Sequence, residues 1–322
     1  MKKIKAGIIG RNFGYKVIFQ ALKKIRGFKV IGFSVKNIKK INSTENIKIY
    51  KNWKSLVSDK KIDAIFISSP PKTHKKIIEF SIKKNKHIFC DKPVTTSLKD
   101  VTKVCNLLKK KEIIDFVNYE FINIEAFQVF KRKYFPKLKV SKVNVNWSIK
   151  VPTIGRSFWK NNHKMGGGNF YNYICHVLFY LENFFGKIII NDSKLKDQNK
   201  NFELNTKFIT ENKKVKINLN FKTISKDSKL KPVHKIIFYS NKGKFILFTK
   251  INSLYDQFYL FKNKKIIFKP KKINHDFRLK PTFNNLVSFK RSIVKRMKGR
   301  PNFENALRIH FLINEIINFK NK

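Results

Sequence analysis

Three side chains have types and surroundings suited to chemistry: Lys92, Asn172 and His176. Lys92 lies in IFCDKPVTTS, residues 88–97, where an apolar run turns at Asp91-Lys92-Pro93 and a threonine-serine segment leads into a helical pattern. Asn172 and His176 are four residues apart, so they share one face of a helix. Gly166, Gly167 and Gly168 precede that stretch and leave room for another backbone or a ligand to approach. Upstream, Gly10-Arg11-Asn12-Phe13-Gly14 joins an apolar run to a helical one, a pattern that turns free N–H groups toward phosphate. An isolated lysine before proline is ordinarily a surface residue at a turn. Taken together, though, these features read as a two-part active site with Lys92 as its hinge. Its ammonium and the His176 imidazole are both groups that can carry a proton.

The elements that would position these residues follow in order. Residues 5–9 form a short apolar strand. Val17, Ile18, Ala21, Leu22 and Ile25 then recur at helical spacing before a second strand over 28–33. Strand, glycine turn, helix, strand is the opening unit of a dinucleotide-binding fold. Gly10 allows the tight turn, and the next helix presents N–H groups and a positive dipole end to a pyrophosphate. Arg11, Asn12, Phe13 and Gly14 complete that turn. Asn12 stands where a second glycine would let the backbone approach the phosphates, and asparagine accepts positive φ more readily than most residues. The second strand ends Ser34-Val35-Lys36, with no carboxylate for a ribose 2′-hydroxyl. That favours NADP over NAD, with Ser34 and Lys36 near the 2′-phosphate.

A third strand over 63–68 carries Ser69-Pro70-Pro71-Lys72-Thr73-His74 at its carboxyl end, where ligands sit in open α/β sheets. The prolines stiffen this loop, and Thr73 is placed to cap the helix that starts near His74. A strand over 86–90 delivers Asp91-Lys92-Pro93. A helix over 101–108 and a strand over 113–119 complete a first domain of residues 1–118. The second domain, 119–322, opens with a strand over 140–149 and a helix to about 185. Alternating stretches between 188 and 268 predict an antiparallel sheet, and 286–297 and 305–319 are helical. The final helix is free to pack back on the first domain.

Composition narrows the function classes. A chain of 322 residues with 42% hydrophobic and 14% aromatic content is a packed globular protein, not a disordered one. Its net charge of +52 invites a polyanion partner. The cations, however, are sixty-three lysines against nine arginines, spread through every segment with no aromatic-glycine nucleic-acid motif. Lys, Asn, Ile and Phe, all abundant, have AT-rich codons, so genome bias accounts for the excess, and no nucleic-acid partner is expected. The charge should still concentrate anionic ligands in a salt-dependent way. Cys90, Cys105 and Cys175 form no metal-ligand spacing and no even-numbered framework, which fits a reduced, cytoplasmic protein without a metal. No run approaches the ~20 apolar residues of a membrane-spanning helix.

GIIGRNFG, ISSPPKTH, IFCDKPVTTS and VNYEF, in this order and at these intervals, resemble the Gfo/Idh/MocA oxidoreductases, the glucose–fructose oxidoreductase and inositol dehydrogenase family. The similarity continues through Trp159-Lys160, GGGNFYNYICH at 166–176 and PNFENALRIHFLI at 301–313, nearly the whole chain. The resemblance implies an α/β N-terminal Rossmann domain that binds NAD(P) through the turn at 10–14, Ser69, Pro70, Pro71, His74, Asp91 and Lys92. It implies a C-terminal α+β domain with a large open, mostly antiparallel sheet that holds a sugar, sugar nucleotide or cyclic polyol. Hydride would pass between the nicotinamide and a substrate carbon. His176 would move the hydroxyl proton, and Lys92 would stabilise charge on the oxygen and assist the relay. Tyr119, Trp159 and Lys160 would contact substrate. A homo-oligomer, dimer or tetramer, is expected. Asn12, Asp91 and Asn172 depart from the family's usual Gly, Glu and Asp, and Asn172 cannot supply a negative charge to His176 or Lys92. That departure keeps a second function open: a cofactor-binding sensor or assembly subunit without turnover. Polyanion binding, motivated by charge alone, is a third.

Overall fold

The computed structural model describes residues 3–35, 47–150, 166, 168–198, 201–225, 228–251, 253 and 255–319. The chain divides into two compact units. The first holds residues 1–120 and 282–310, and the second holds 121–281 and 311–322. The chain thus returns to the first unit for residues 282–310, where a cut after residue 118 left only the final helix free to do so.

In the first unit, six strands form a wholly parallel sheet: β1 (Ile4–Ile9), β2 (Phe28–Ser34), β3 (Lys48–Tyr50), β4 (Ala64–Ile67), β5 (His87–Asp91) and β6 (Asp115–Asn118). The order β3-β2-β1-β4-β5-β6 reverses direction between β1 and β4, as in the doubly wound Rossmann fold. Parallel strands covered on both faces read as continuous apolar runs, and all four residues of β4 are buried. A wide helical turn (Gly14–Phe19) leads into α1 (Gln20–Lys23), and α2 (Trp53–Ser58), α3 (His74–Lys83) and α4 (Leu98–Lys109) follow. Asn52 and Ser97 cap α2 and α4, accepting from the amides of Ser55 and Asp100. Helix α4 buries Val101, Val104, Cys105 and Leu108 on one face.

The register places Phe66, Phe89 and Phe116 side by side on β4, β5 and β6. Their centroids are 5.6 and 5.8 Å apart. The chain's return to this unit supplies the lid on that ladder: Phe289 sits 5.8, 5.6 and 6.0 Å from the three rings. Asp115 at the start of β6 accepts from the Phe303 amide at 2.7 Å, and Asn302 and Asn305 exchange amide-to-side-chain bonds at 3.0 and 3.1 Å. Both devices satisfy amides at the start of the last helix.

The second unit is built on an eight-stranded sheet, β7 (Val140–Lys150), β8 (Ile188–Gln198), β9 (Asn201–Thr210), β10 (Lys216–Ile224), β11 (Val233–Ser240), β12 (Gly243–Lys250), β13 (Tyr259–Lys262) and β14 (Lys265–Phe268). Every pair is antiparallel except β7 with β10. Alternation separates the faces: Val143, Val145, Trp147 and Ile149 of β7 are buried, whereas Asn144 and Asn146 are not. After α5 (Glu125–Val129), helix α6 (Gly168–Phe185) lies against β8 and β9 and is buried along most of its length. Helices α7 (Leu279–Lys295) and α8 (Phe303–Ile317) complete the chain.

Candidate active site

The carboxyl ends of β1, β2, β4 and β5 align, because Ile9 pairs with both Ser34 and Ile67, and Ile67 pairs with Cys90. Every first-unit candidate in the described residues except Tyr119 follows from that edge. Gly10 leaves β1 at φ +124°, and its amide donates to the Ser34 carbonyl at 3.2 Å. A Cβ on Gly10 would lie 2.6 Å from the carbonyl carbon and oxygen of Ser68, and one on Gly14 would lie 2.6 Å from the Ser68 hydroxyl. Ser68 is itself fixed, its amide donating to the Ile9 carbonyl at 2.8 Å and its hydroxyl at 3.2 Å. The two glycines therefore let the turn nest against β4 at the point where the sheet reverses, a cradle that fits a pyrophosphate. Arg11 and Asn12 are exposed there and Phe13 is half-buried. Asn12 has helical backbone, so the tolerance of asparagine for positive φ is not called upon; only Gly10 needs it. Ser34 is buried and contributes its carbonyl to the turn, and Lys36 lies outside the described residues.

The two loops on the other side of the reversal are tied to each other. The Thr73 hydroxyl bonds the Ser69 hydroxyl at 2.7 Å and the Pro70 carbonyl at 2.8 Å, and it does not cap α3 as the sequence suggested. His74 is buried, with Nε2 2.6 Å from the Ser69 carbonyl and Nδ1 3.0 Å from the Pro93 carbonyl. It joins the loops from within. Burial holds its pKa below the usual imidazole value, opposed by the Ser69 carbonyl and the Asp91 carboxylate. Cys90 Sγ lies 3.4 Å from His74 Nδ1 and donates to the Asp91 carbonyl at 3.2 Å. Asp91 and Lys92 are half-buried at the corner itself, followed by a cis Lys92–Pro93 peptide and buried Pro93, Val94 and Thr95. Tyr119, assigned to substrate from sequence, is buried, as are Asn172 and His176.

In the second unit, α6 carries Asn172 and His176 one turn apart, both buried. The His176 ring is 4.4 Å from that of Phe121, which also packs edge-on to Trp147 and His234 at 5.6 and 5.7 Å. Trp147 and His234, cross-strand partners on β7 and β11, stack in parallel at 4.2 Å. His234 Nε2 is 3.0 Å from the Tyr180 hydroxyl. Burial pushes the His234 pKa down to about 3, so its ring is neutral. Sequence reasoning missed this aromatic and imidazole wall. Its signal was present: in the inward positions of β11, His234 precedes Ile236 and Phe238 as the one polar member. Cys175 is buried. Trp159, Lys160 and Gly167 lie outside the described residues. Among the described residues, no group of three or more His, Cys, Asp or Glu could hold a metal ion, and no helix is long and apolar enough to cross a membrane.

Comparison with known proteins agrees with this geometry. Residues 4–119 match the family model described as oxidoreductase family, NAD-binding Rossmann fold (GFO_IDH_MocA). The uncharacterized oxidoreductase YrbE of Bacillus subtilis is 31% identical over 157 residues, 47% of this chain and 42% of that protein. The chain spans about half the length of the curated relatives it matches first. Two solved structures share the fold over 98% of the chain. One is KijD10, a 3-ketoreductase from Actinomadura kijaniata in complex with NADP and TDP-benzene (TM-score 0.77, 14% identity, 97% of that chain). The other is levoglucosan dehydrogenase in complex with NADH (TM-score 0.79, 13% identity, 96% of that chain). With its glycine turn, SPPKTH loop and Asp-Lys-Pro corner on one sheet edge, the segment 4–119 is similar to the NAD-binding Rossmann domain of the Gfo/Idh/MocA oxidoreductases, and the chain shares the fold of the two solved structures.

Proposed function

We propose that the protein is an NAD(P)-dependent dehydrogenase or reductase acting on the CH–OH or carbonyl carbon of a sugar, sugar nucleotide or cyclic polyol. The observation that carries it is the sheet edge where the Gly10–Gly14 cradle ends β1 and the Lys92 corner ends β5, with β4 alone between them. Gly10, Arg11, Asn12, Phe13 and Gly14 would hold the pyrophosphate, with Ser69, Pro70 and Pro71 bordering the cofactor. A bound nicotinamide supplies hydride donation or acceptance at its C4. The Lys92 ammonium stabilises negative charge on the substrate oxygen, and His176 takes or returns the hydroxyl proton. Asn172 orients a substrate hydroxyl through its amide. NADP is slightly favoured over NAD, since no carboxylate ends β2. The relatives support both, one named with NADP and one with NADH. A cytoplasmic setting is supported by three buried free cysteines. Association of like chains is supported by the less-covered sheet face of the second unit, where Ile237, Ile246, Phe261 and Ile266 form one register row.

Two variants test the assignment. Gly10→Ala places a Cβ against the Ser68 backbone at a φ that L-residues rarely adopt, and is expected to weaken NADPH binding at least about 100-fold in a fluorescence titration. Asn172→Ala is expected to lower kcat/KM by about 10- to 100-fold on the substrate found by screening sugar nucleotides and polyols at 340 nm. The sensor reading is favoured by Asn172 standing in place of a carboxylate. It predicts cofactor binding without turnover across that panel, unchanged by Asn172→Asp.

A further inference from the structure

We propose that His74 is a positioning residue for the reaction: its buried imidazole bridges the two loops, and the bond at Nδ1 sets the Asp-Lys-Pro corner from which Lys92 acts. The inference rests on the proposed role of Lys92 beside the cofactor. The two nitrogens serve different loops, Nε2 facing the Ser69 carbonyl at 2.6 Å and Nδ1 the Pro93 carbonyl at 3.0 Å. Pro93 follows Lys92 directly, so a bond to its carbonyl fixes the peptide on which the lysine turns. Ser69 opens the loop that borders the cofactor. A plain packing residue at the start of α3 would need neither bond.

The surroundings make the bridge specific. The groups facing the ring are the Ser69 and Pro93 carbonyls, the Val94 backbone, the Asp91 carboxylate and the Cys90 thiol. A neutral imidazole has one N–H, so it donates to one carbonyl at a time. Burial is the larger influence and holds the ring's pKa below the usual imidazole value; the Asp91 carboxylate, whose Oδ1 is buried and without a hydrogen-bond partner, opposes it. Cys90 and Pro93 on the other side of the ring are buried.

Amide substitutions separate the two bonds. The side-chain nitrogen of asparagine occupies roughly the place of Nδ1, and that of glutamine the place of Nε2. His74→Asn keeps the bond to Pro93 and loses that to Ser69, whereas His74→Gln does the reverse. The readout is the rate at which Lys92 is acylated by an amine-reactive ester, mapped by peptide mass spectrometry with and without saturating NADPH. Lys99, exposed on α4, serves as the internal standard. Expected are at least fivefold protection of Lys92 by NADPH in the unaltered protein and in His74→Asn, and less than twofold in His74→Gln at equal cofactor occupancy. NADPH should bind His74→Gln within about threefold of the unaltered protein. Equal protection in both variants, or equal loss in both alongside equal loss of melting temperature, would overturn the proposal and leave His74 a packing residue. If the unaltered protein binds NADPH but shows no protection of Lys92, the underlying placement of Lys92 fails instead.

Discussion

Replacing Lys92 with alanine is expected to abolish turnover, lowering kcat by at least about 1,000-fold, while NADPH affinity changes by no more than about threefold. The size follows from two losses, because charge stabilisation at an oxygen and a proton relay each contribute roughly 10²–10⁴. The selectivity follows from place. Lys92 is half-buried at a corner, outside the apolar core, and the residues that hold the corner are its neighbours Pro93, Val94 and Thr95, all buried. Lys92→Arg refines the result. A guanidinium restores the positive charge but does not give up its proton in proteins. Recovery by Arg would assign Lys92 a purely electrostatic role, and continued inactivity would assign it the relay. Activity retained by the alanine variant would remove Lys92 from the mechanism.

Phe289→Ala is expected to destabilise the first unit by about 3–5 kcal/mol, a large share of the total stability of an ordinary domain. Phe289 is fully buried and meets three rings on three adjacent strands, so its loss opens a cavity that a rigid parallel sheet cannot collapse to fill. A fall in melting temperature on the order of 10 °C should accompany it, measured by calorimetry. Leu230→Ala, at a residue 61% exposed, should shift stability by less than about 0.5 kcal/mol and serves as the control. A small effect of Phe289→Ala would show that residues 282–310 do not stabilise the sheet as its rings indicate.

The first unit was largely legible in the sequence because its strands are buried on both faces and so appear as unbroken apolar runs between turn residues. The exception, β3, is three residues of mixed polarity after a long polar stretch, too short to show a period. In the second unit, alternation revealed which residues face inward, but not which strands are neighbours. β7 pairs with β10 and β11, each more than sixty residues later, and no local signal encodes such a choice. Candidate residues followed the same rule. Gly10 was readable because its positive φ demands glycine locally, whereas Gly14 needs it for the Ser68 hydroxyl packed against it. His74 looked like the first residue of a helix, and its role depends on Pro93, brought near only by pairing of β4 with β5. His234 joined the wall of the candidate site only when β11 paired with β7 and set its ring against Trp147.

The net charge of +52 favours association with any phosphate-bearing ligand at low ionic strength, so affinity for a dinucleotide must be measured against salt. The most direct measurement is a fluorescence titration of the folded protein with NADPH and NADH at low and physiological salt, alongside Gly10→Ala. The account predicts saturable binding of one dinucleotide per chain that persists at physiological salt and is lost in the variant. Absence of saturable binding of either cofactor to the folded protein, or binding that Gly10→Ala leaves unchanged, would contradict it.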